Sequence, residues 1–346
     1  MSFSKILNHW YSNNKRELPW RQTTDPYFIW LSEIILQQTQ VKQGLPYYQS
    51  FIKAFPTVFH LAKATESDVL KLWQGLGYYS RARNLHASAK YIVDELQGEF
   101  PNNYKDLLLL KGVGDYTASA IASICFNNAS AVVDGNVYRV LSRYFGIDTP
   151  INSSKGFREF KELAQELIDK KKPADFNQAI MEFGAVQCKP QNPECNRCPF
   201  QKSCVAVRDK RISELPVKIK PNKASIKYFN FLVIISRDQR TILEKRTGKG
   251  IWQNLYQFPL VETLKDIDVE PMTKLIKKND FVSGFDFELN LYNDKPIIHK
   301  LSHQHLHTKF WIITMDSQLE KGIDFIDIHN YPVPILIENF IKDFNF

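Results

Sequence analysis

The chain has 346 residues, 44% of them apolar, and a formal net charge of +8. That length accommodates two domains, each with its own core, and the apolar content excludes a disordered chain. The basic balance favours a polyanionic partner, whereas the lack of any 18-residue apolar run excludes a membrane-spanning helix. Met1–Lys5 lead into polar sequence with no apolar signal core, so a soluble intracellular protein is expected.

In chain order, the first two hundred residues read as helices. Asp25-Pro26 supplies an N-cap followed by proline at the first helical position, opening a helix that runs through about Lys42. Further helices are expected at Thr65–Gln74, Arg81–Glu95, Tyr104–Lys111, Tyr116–Phe126, Val137–Phe145, Ser154–Lys170 and Asp175–Gln187. Within the first of them, Glu33 has Ile29, Trp30 and Leu36 at helical spacing, so its carboxyl emerges from a largely apolar face where ionisation is disfavoured. Taken alone it reads at least as well as a half-exposed glutamate whose stem covers apolar surface.

Leu110-Lys111-Gly112-Val113-Gly114 lies between two helices. Gly112 and Gly114 let backbone N–H groups approach a phosphate without Cβ interference, and the following helix N-terminus adds a favourable dipole. An ordinary helix–turn–helix corner is the alternative. Asp134 follows Ala131-Val132-Val133 and precedes Gly135-Asn136, at another helix start. It is either a plain N-cap or an anion stabilised by the helix dipole. One carboxyl biased towards the acid and one towards the anion is the division of labour that glycosidic bond cleavage requires.

Cys188, Cys195, Cys198 and Cys204 crowd into one short segment, while Cys125 sits in an apolar stretch as a small core residue. Four close thiolates suit zinc or an iron–sulfur cluster, and spacing alone leaves that choice open. Beyond them, residues 208–227 read as a linker, poor in apolar periodicity. Tyr228–Ser236 and Thr241–Arg246 read as strands of a hairpin, Phe310–Met315 as a strand and Pro334–Phe344 as a helix. His303, His305 and His307 alternate, so on a strand they share a face, either as a polar edge or as a metal site. An all-α domain followed by an α+β domain is the expected architecture.

Several segments carry a resemblance. The cysteine spacing matches the four-iron four-sulfur loop of the endonuclease III superfamily, and residues 110–118 resemble its helix-hairpin-helix, with Lys111 where a proline is usual. Leu18-Pro19-Trp20-Arg21, Ser32–Thr39, Gly75–Arg81 and Val133–Val137 closely resemble adenine DNA glycosylases of the MutY type. The resemblance implies a helical glycosylase domain (1–207) with a helix-hairpin-helix and a [4Fe-4S] loop, zinc being the alternative. A linker (208–227) and a Nudix-like lesion-recognition domain (228–346) follow. It further implies a monomer, nucleoid-associated in the cytoplasm, acting on duplex DNA with 8-oxoguanine:adenine or guanine:adenine mispairs.

Carried over residue by residue, Glu33 protonates the adenine and Asp134 stabilises the sugar cation, supported by Tyr116 and Asn136. Trp20, Arg21, Leu36 and Gln178 line the pocket for the flipped base, while Gln38 and Tyr78 enter the duplex. Gly112 and Gly114 hold backbone phosphate. Ser302 and His303 sense the oxidised guanine, with Leu301 replacing the family's phenylalanine. Bifunctional relatives place a lysine where Tyr116 stands, so base removal without strand cleavage is expected. The second domain lacks the clustered glutamates of a working Nudix box, so nucleotide hydrolysis is not expected.

Overall fold

A computed structural model describes residues 2–220 and 223–346. The chain forms two compact units, Met1–Ala64 with Asn84–Lys220, and Thr65–Arg83 with Pro221–Phe346.

The first unit is built from helices. The Pro26–Leu36 helix starts as its sequence dictates, with Asp25 accepting from the Tyr27 N–H and proline in its first turn. It ends at Leu36 rather than near Lys42, and a new helix runs over Val41–Ala54. Gln38 takes a left-handed backbone (φ +55°) at the break. Gln37 there donates from Nε2 to the Gly112 carbonyl at 3.4 Å and to Thr117 Oγ1 at 3.3 Å, tying the interruption to the glycine turn.

The central Asp115–Phe126 helix buries Thr117 to Ser123, a run dominated by Ala and Ser. Small side chains let the Pro26–Leu36 and Pro173–Glu182 helices approach it closely, and both pack against it. An N-terminal helix, Phe3–Asn14, lies on the Pro173–Glu182 helix and buries Phe3, Leu7 and Trp10 in a core shared with Val133, Val137, Phe160, Phe176 and Phe200. Residues 208–220 are not a free tether. Leu215 is buried, its carbonyl accepts from Arg143 Nε at 3.1 Å, and the Val217 carbonyl accepts from the Ile151 N–H at 3.0 Å. Of the expected linker, 221–222 lie outside the described residues, and a strand already begins at Ser225.

The second unit is α+β. Ser225–Ser236 and Gln304–Met315 run parallel in register from Ser225↔Gln304 to Ser236↔Met315. Leu260–Thr263 pairs antiparallel with the first of them, and Glu288–Leu291 and Ile297–Lys300 with the second. Phe229 to Ile234 are buried without interruption, as a strand covered on both faces requires. One face packs Leu232, Ile234, Trp311 and Ile313 against Met272 and Ile276 of the Val269–Ile276 helix. On the other, Phe310 stacks on Phe340 of the Ile335–Phe344 helix with ring centroids 4.0 Å apart.

The expected 237–240 hairpin does not form. A turn is present, but the strand after it, Arg240–Thr241, pairs with Ile323–Asp324. Thr65–Arg83 contributes the Glu66–Leu72 helix, whose Glu66 Oε1 accepts from Asn254 Nδ2 at 2.6 Å, while Arg83 Nη1 donates to the Gln253 carbonyl at 2.9 Å. No helix among the described residues is long and apolar enough to cross a membrane.

Candidate active site

A cavity of about 720 Å³ opens in the first unit. The Pro26–Leu36 helix sends Glu33 into it, flanked by Ile29 and Leu36 as their spacing requires. Glu33 is 8% exposed, and burial pushes its carboxyl up to about 7. A hydrogen bond with the Tyr116 hydroxyl and the charge of Arg21 oppose that rise, while the charge of Asp134 adds to it. Tyr116 lies in the first turn of the Asp115–Phe126 helix, and its hydroxyl also stands 3.1 Å from Met181 Sδ, the alternative acceptor for its one proton.

Asp134 caps the Gly135–Phe145 helix. Its Oδ1 accepts from the N–H groups of Asn136 (2.9 Å) and Val137 (2.8 Å), and its Oδ2 from Asn136 Nδ2 at 2.8 Å. Arg139 Nη2 in turn donates to Asn136 Oδ1 at 2.8 Å. Burial nevertheless lifts the Asp134 carboxyl above its ordinary range, outweighing these donors and the Arg139 charge. The contacts of a stabilised anion are therefore present, but the net direction is opposite to the one expected from sequence.

The same cavity gathers Trp20, Arg21, Leu36, Gln38, Asn136 and Gln178. It also holds residues that sequence reading missed. Glu182 is buried at its wall, accepting from Arg16 Nε and from Arg21 Nη2, each at 2.7 Å. Burial alone would raise this carboxyl, but the two guanidinium partners prevail and hold it at about 2. No motif marked Glu182; the only available signal was its place one helical turn beyond Gln178.

Gly112 sits at φ +81°, a backbone that favours glycine, and a Cβ there would meet the Asn84 side chain at 2.9 Å. Gly114 is exposed and precedes the Asp115–Phe126 helix with open space around its Cα. In the second unit Tyr78 is about half exposed with φ +48°, beneath the Arg81 guanidinium. Ser302 and His303 form a two-residue hairpin tip. Lys300 pairs with His305, the Leu301 N–H donates to the Gln304 carbonyl at 2.9 Å, and both tip side chains are exposed.

Cys188, Cys195, Cys198 and Cys204 share one loop, with Cys188 and Cys198 packed against the core. Burial pushes the Cys198 thiol up to about 12, and the charges of the other three cysteines push the same way, so the four thiols lie within electrostatic reach of one another. Arg143 Nη1 approaches Cys188 Sγ at 3.5 Å, and Cys204 Sγ donates to the Arg143 carbonyl at 3.4 Å. As four soft donors in one loop they suit an iron–sulfur cluster or zinc. Among the described residues no three His, Cys, Asp or Glu side chains stand grouped closely enough to hold a metal ion, the four cysteines and the alternating histidines included.

A family model described as "HhH-GPD superfamily base excision DNA repair protein" matches residues 31–166, and one described as "NUDIX domain" matches residues 230–343. The adenine DNA glycosylase of Buchnera aphidicola subsp. Acyrthosiphon pisum is 34% identical, over 99% of this chain and 98% of its own length. That of Buchnera aphidicola subsp. Schizaphis graminum is 36% identical, over 88% of this chain and 85% of its own. Among solved structures, a thermostable thymine-DNA glycosylase superposes with a TM-score of 0.56 at 32% identity, covering 60% of this chain and 95% of that one.

Proposed function

The chain belongs to the adenine DNA glycosylases, helix-hairpin-helix enzymes acting at adenine mispairs in base excision repair; on that premise we propose a substrate and a mechanism. The substrate is duplex DNA carrying adenine opposite 8-oxoguanine, or opposite guanine. Its adenine is flipped into the cavity formed by Trp20, Arg21, Leu36 and Gln178. The observation that supports this most directly is that Glu33 and Asp134, two carboxyls with different partners, line one cavity with ample room for a nucleobase.

Glu33, held near half protonation at neutral pH, gives its proton to adenine N7. The electron pair of the C1′–N9 bond moves onto N9 and the sugar becomes oxocarbenium-like. Positive charge developing on the sugar favours the ionised form of Asp134, which Asn136, the Val137 N–H and Arg139 keep in place. Water then adds at C1′ and returns a proton to the Glu33 carboxylate. Tyr116 supports this group and offers no amine for a Schiff base, so the enzyme removes the base and leaves the strand intact.

Gly112 and Gly114 hold backbone phosphate, Gln38 and Tyr78 replace lost stacking, and Ser302 and His303 read the oxidised guanine. The four cysteines would hold one [4Fe-4S] cluster, which supplies no step and shapes the loop; zinc at the same thiols would give no visible absorbance. The enzyme works as a monomer, with the helical unit supplying catalysis and the α+β unit lesion recognition.

The test treats duplexes carrying each mispair with wild-type and Glu33→Gln protein, followed by alkaline cleavage of abasic sites. The wild type is expected to release adenine. Glu33→Gln should bind the mispair and release none; turnover near the wild-type rate would refute the assignment.

A further inference from the structure

The segment that delivers Asp134, residues 129–133, belongs to no helix or strand. Five of its backbone groups are paired with side chains from two helices. From Ser154–Leu167, Gln165 accepts from the Ala131 N–H at 3.0 Å and donates to the Ala129 carbonyl at 2.7 Å, and Lys161 Nζ donates to the Ala131 carbonyl at 2.7 Å. From Pro173–Glu182, Asn177 accepts from the Val132 N–H at 3.1 Å and donates to the Ser130 carbonyl at 2.8 Å. Asn177 is fully buried and donates as well to Ser123 Oγ at 2.8 Å. Lys161 is tied to Asp115 Oδ2 at 3.0 Å and to Ser119 Oγ at 2.9 Å, on the helix that carries Tyr116.

We infer that Asn177, Gln165 and Lys161 are positioning residues for adenine release, a side-chain clamp that fixes where the Asp134 carboxyl stands relative to the sugar. The cap contacts hold Asp134 from its C-terminal side only. On the N-terminal side the segment is held by the burial of Ala131, Val132 and Val133 and, at its backbone polar groups, by these side chains, because a backbone without a ladder takes its hydrogen bonds from wherever they are offered. The same clamp spans three helices, those carrying Tyr116, Gln178 and Lys161, so it holds the Asp134 carboxyl in place relative to them. A displacement of about 1 Å of such a carboxylate lowers a rate by about a hundredfold without touching the substrate. This inference rests on the reading of Asp134 as the group that faces the sugar cation.

The experiment measures single-turnover adenine release and duplex affinity, well below each protein's melting temperature, for Asn177→Ala, Gln165→Ala and Gln165→Glu, alone and combined with Asp134→Asn. Gln165 is half-exposed, so its variants fold even where Asn177→Ala fails. Asn177→Ala should slow release by about tenfold or more and Gln165→Ala by several fold, with duplex affinity held within about twofold. Gln165→Glu, which keeps the acceptor for the Ala131 N–H, should recover part of the loss. In the Asp134→Asn background the clamp substitutions should have little further effect, since their route is through that carboxyl. Unchanged release in the single variants would overturn the clamp, and so would losses that persist at full size without Asp134. Full activity of Asp134→Asn alone would instead remove the reading beneath it.

Discussion

At the scale of the residue, Glu33 holds the chemistry and the instability together. A rise from 4.5 to about 7, at about 1.4 kcal/mol per tenfold change, makes ionising this buried acid cost about 3 kcal/mol. Because the folded value lies above the unfolded one, the associated stability is complete below about pH 4.5 and lost as pH rises through 7. Glu33→Gln should therefore melt higher than wild type at pH 8 and equally at pH 4, read from paired thermal scans. The same sign governs activity: adenine release at saturating enzyme should fall as pH rises through about 7, as the acid loses its proton. Tyr116→Lys makes a complementary case. An amine beside Glu33 supplies the nucleophile that phenol cannot, so borohydride should trap this variant on DNA and leave wild type untrapped.

At the scale of the element, the helix starts were legible because they depend on neighbours in sequence. Asp25 and Asp134 cap as read, since the donors are two or three residues away. The break after Leu36 was not legible: no glycine or proline stands between Pro26 and Gly44, and the competing bonds of Gln37 come from residues about 80 positions away. Glu182 was hidden for the same reason, its meaning lying in Arg16 and Arg21 from the far end of the unit. Gly184 gives the sharpest test of element packing. A Cβ there would lie 2.6 Å from Asn136 Cβ and 2.9 Å from the Asn136 carbonyl oxygen, against the first turn of the helix that Asp134 caps. Gly184→Ala should destabilise by about 1–3 kcal/mol in denaturant titration and should slow adenine release more than it weakens duplex binding.

At the scale of the whole molecule, the division into a helical unit and an α+β unit followed from composition and periodicity. The assignment of Thr65–Arg83 did not, because that segment's contacts come from residues beyond 250. The net charge of +8 belongs to this scale too. If phosphate contacts dominate affinity, raising salt from about 50 to 200 mM should weaken duplex binding by about an order of magnitude or more, measured by anisotropy on matched and mispaired duplexes.

The parallel pairing at the centre of the second unit bears on how the protein is made. Ser225 and Gln304, its first partners, are 79 positions apart, so a ribosome releases Phe229 to Ile234 long before their parallel neighbour exists. During that interval a buried run that is apolar but for Asn230 has only the short Leu260–Thr263 strand to join, which is the circumstance in which nascent chains stick to one another. The enzyme's yield in a cell is thus governed by how long that strand waits, and slowing translation between the two strands should send more of the product into inclusion bodies.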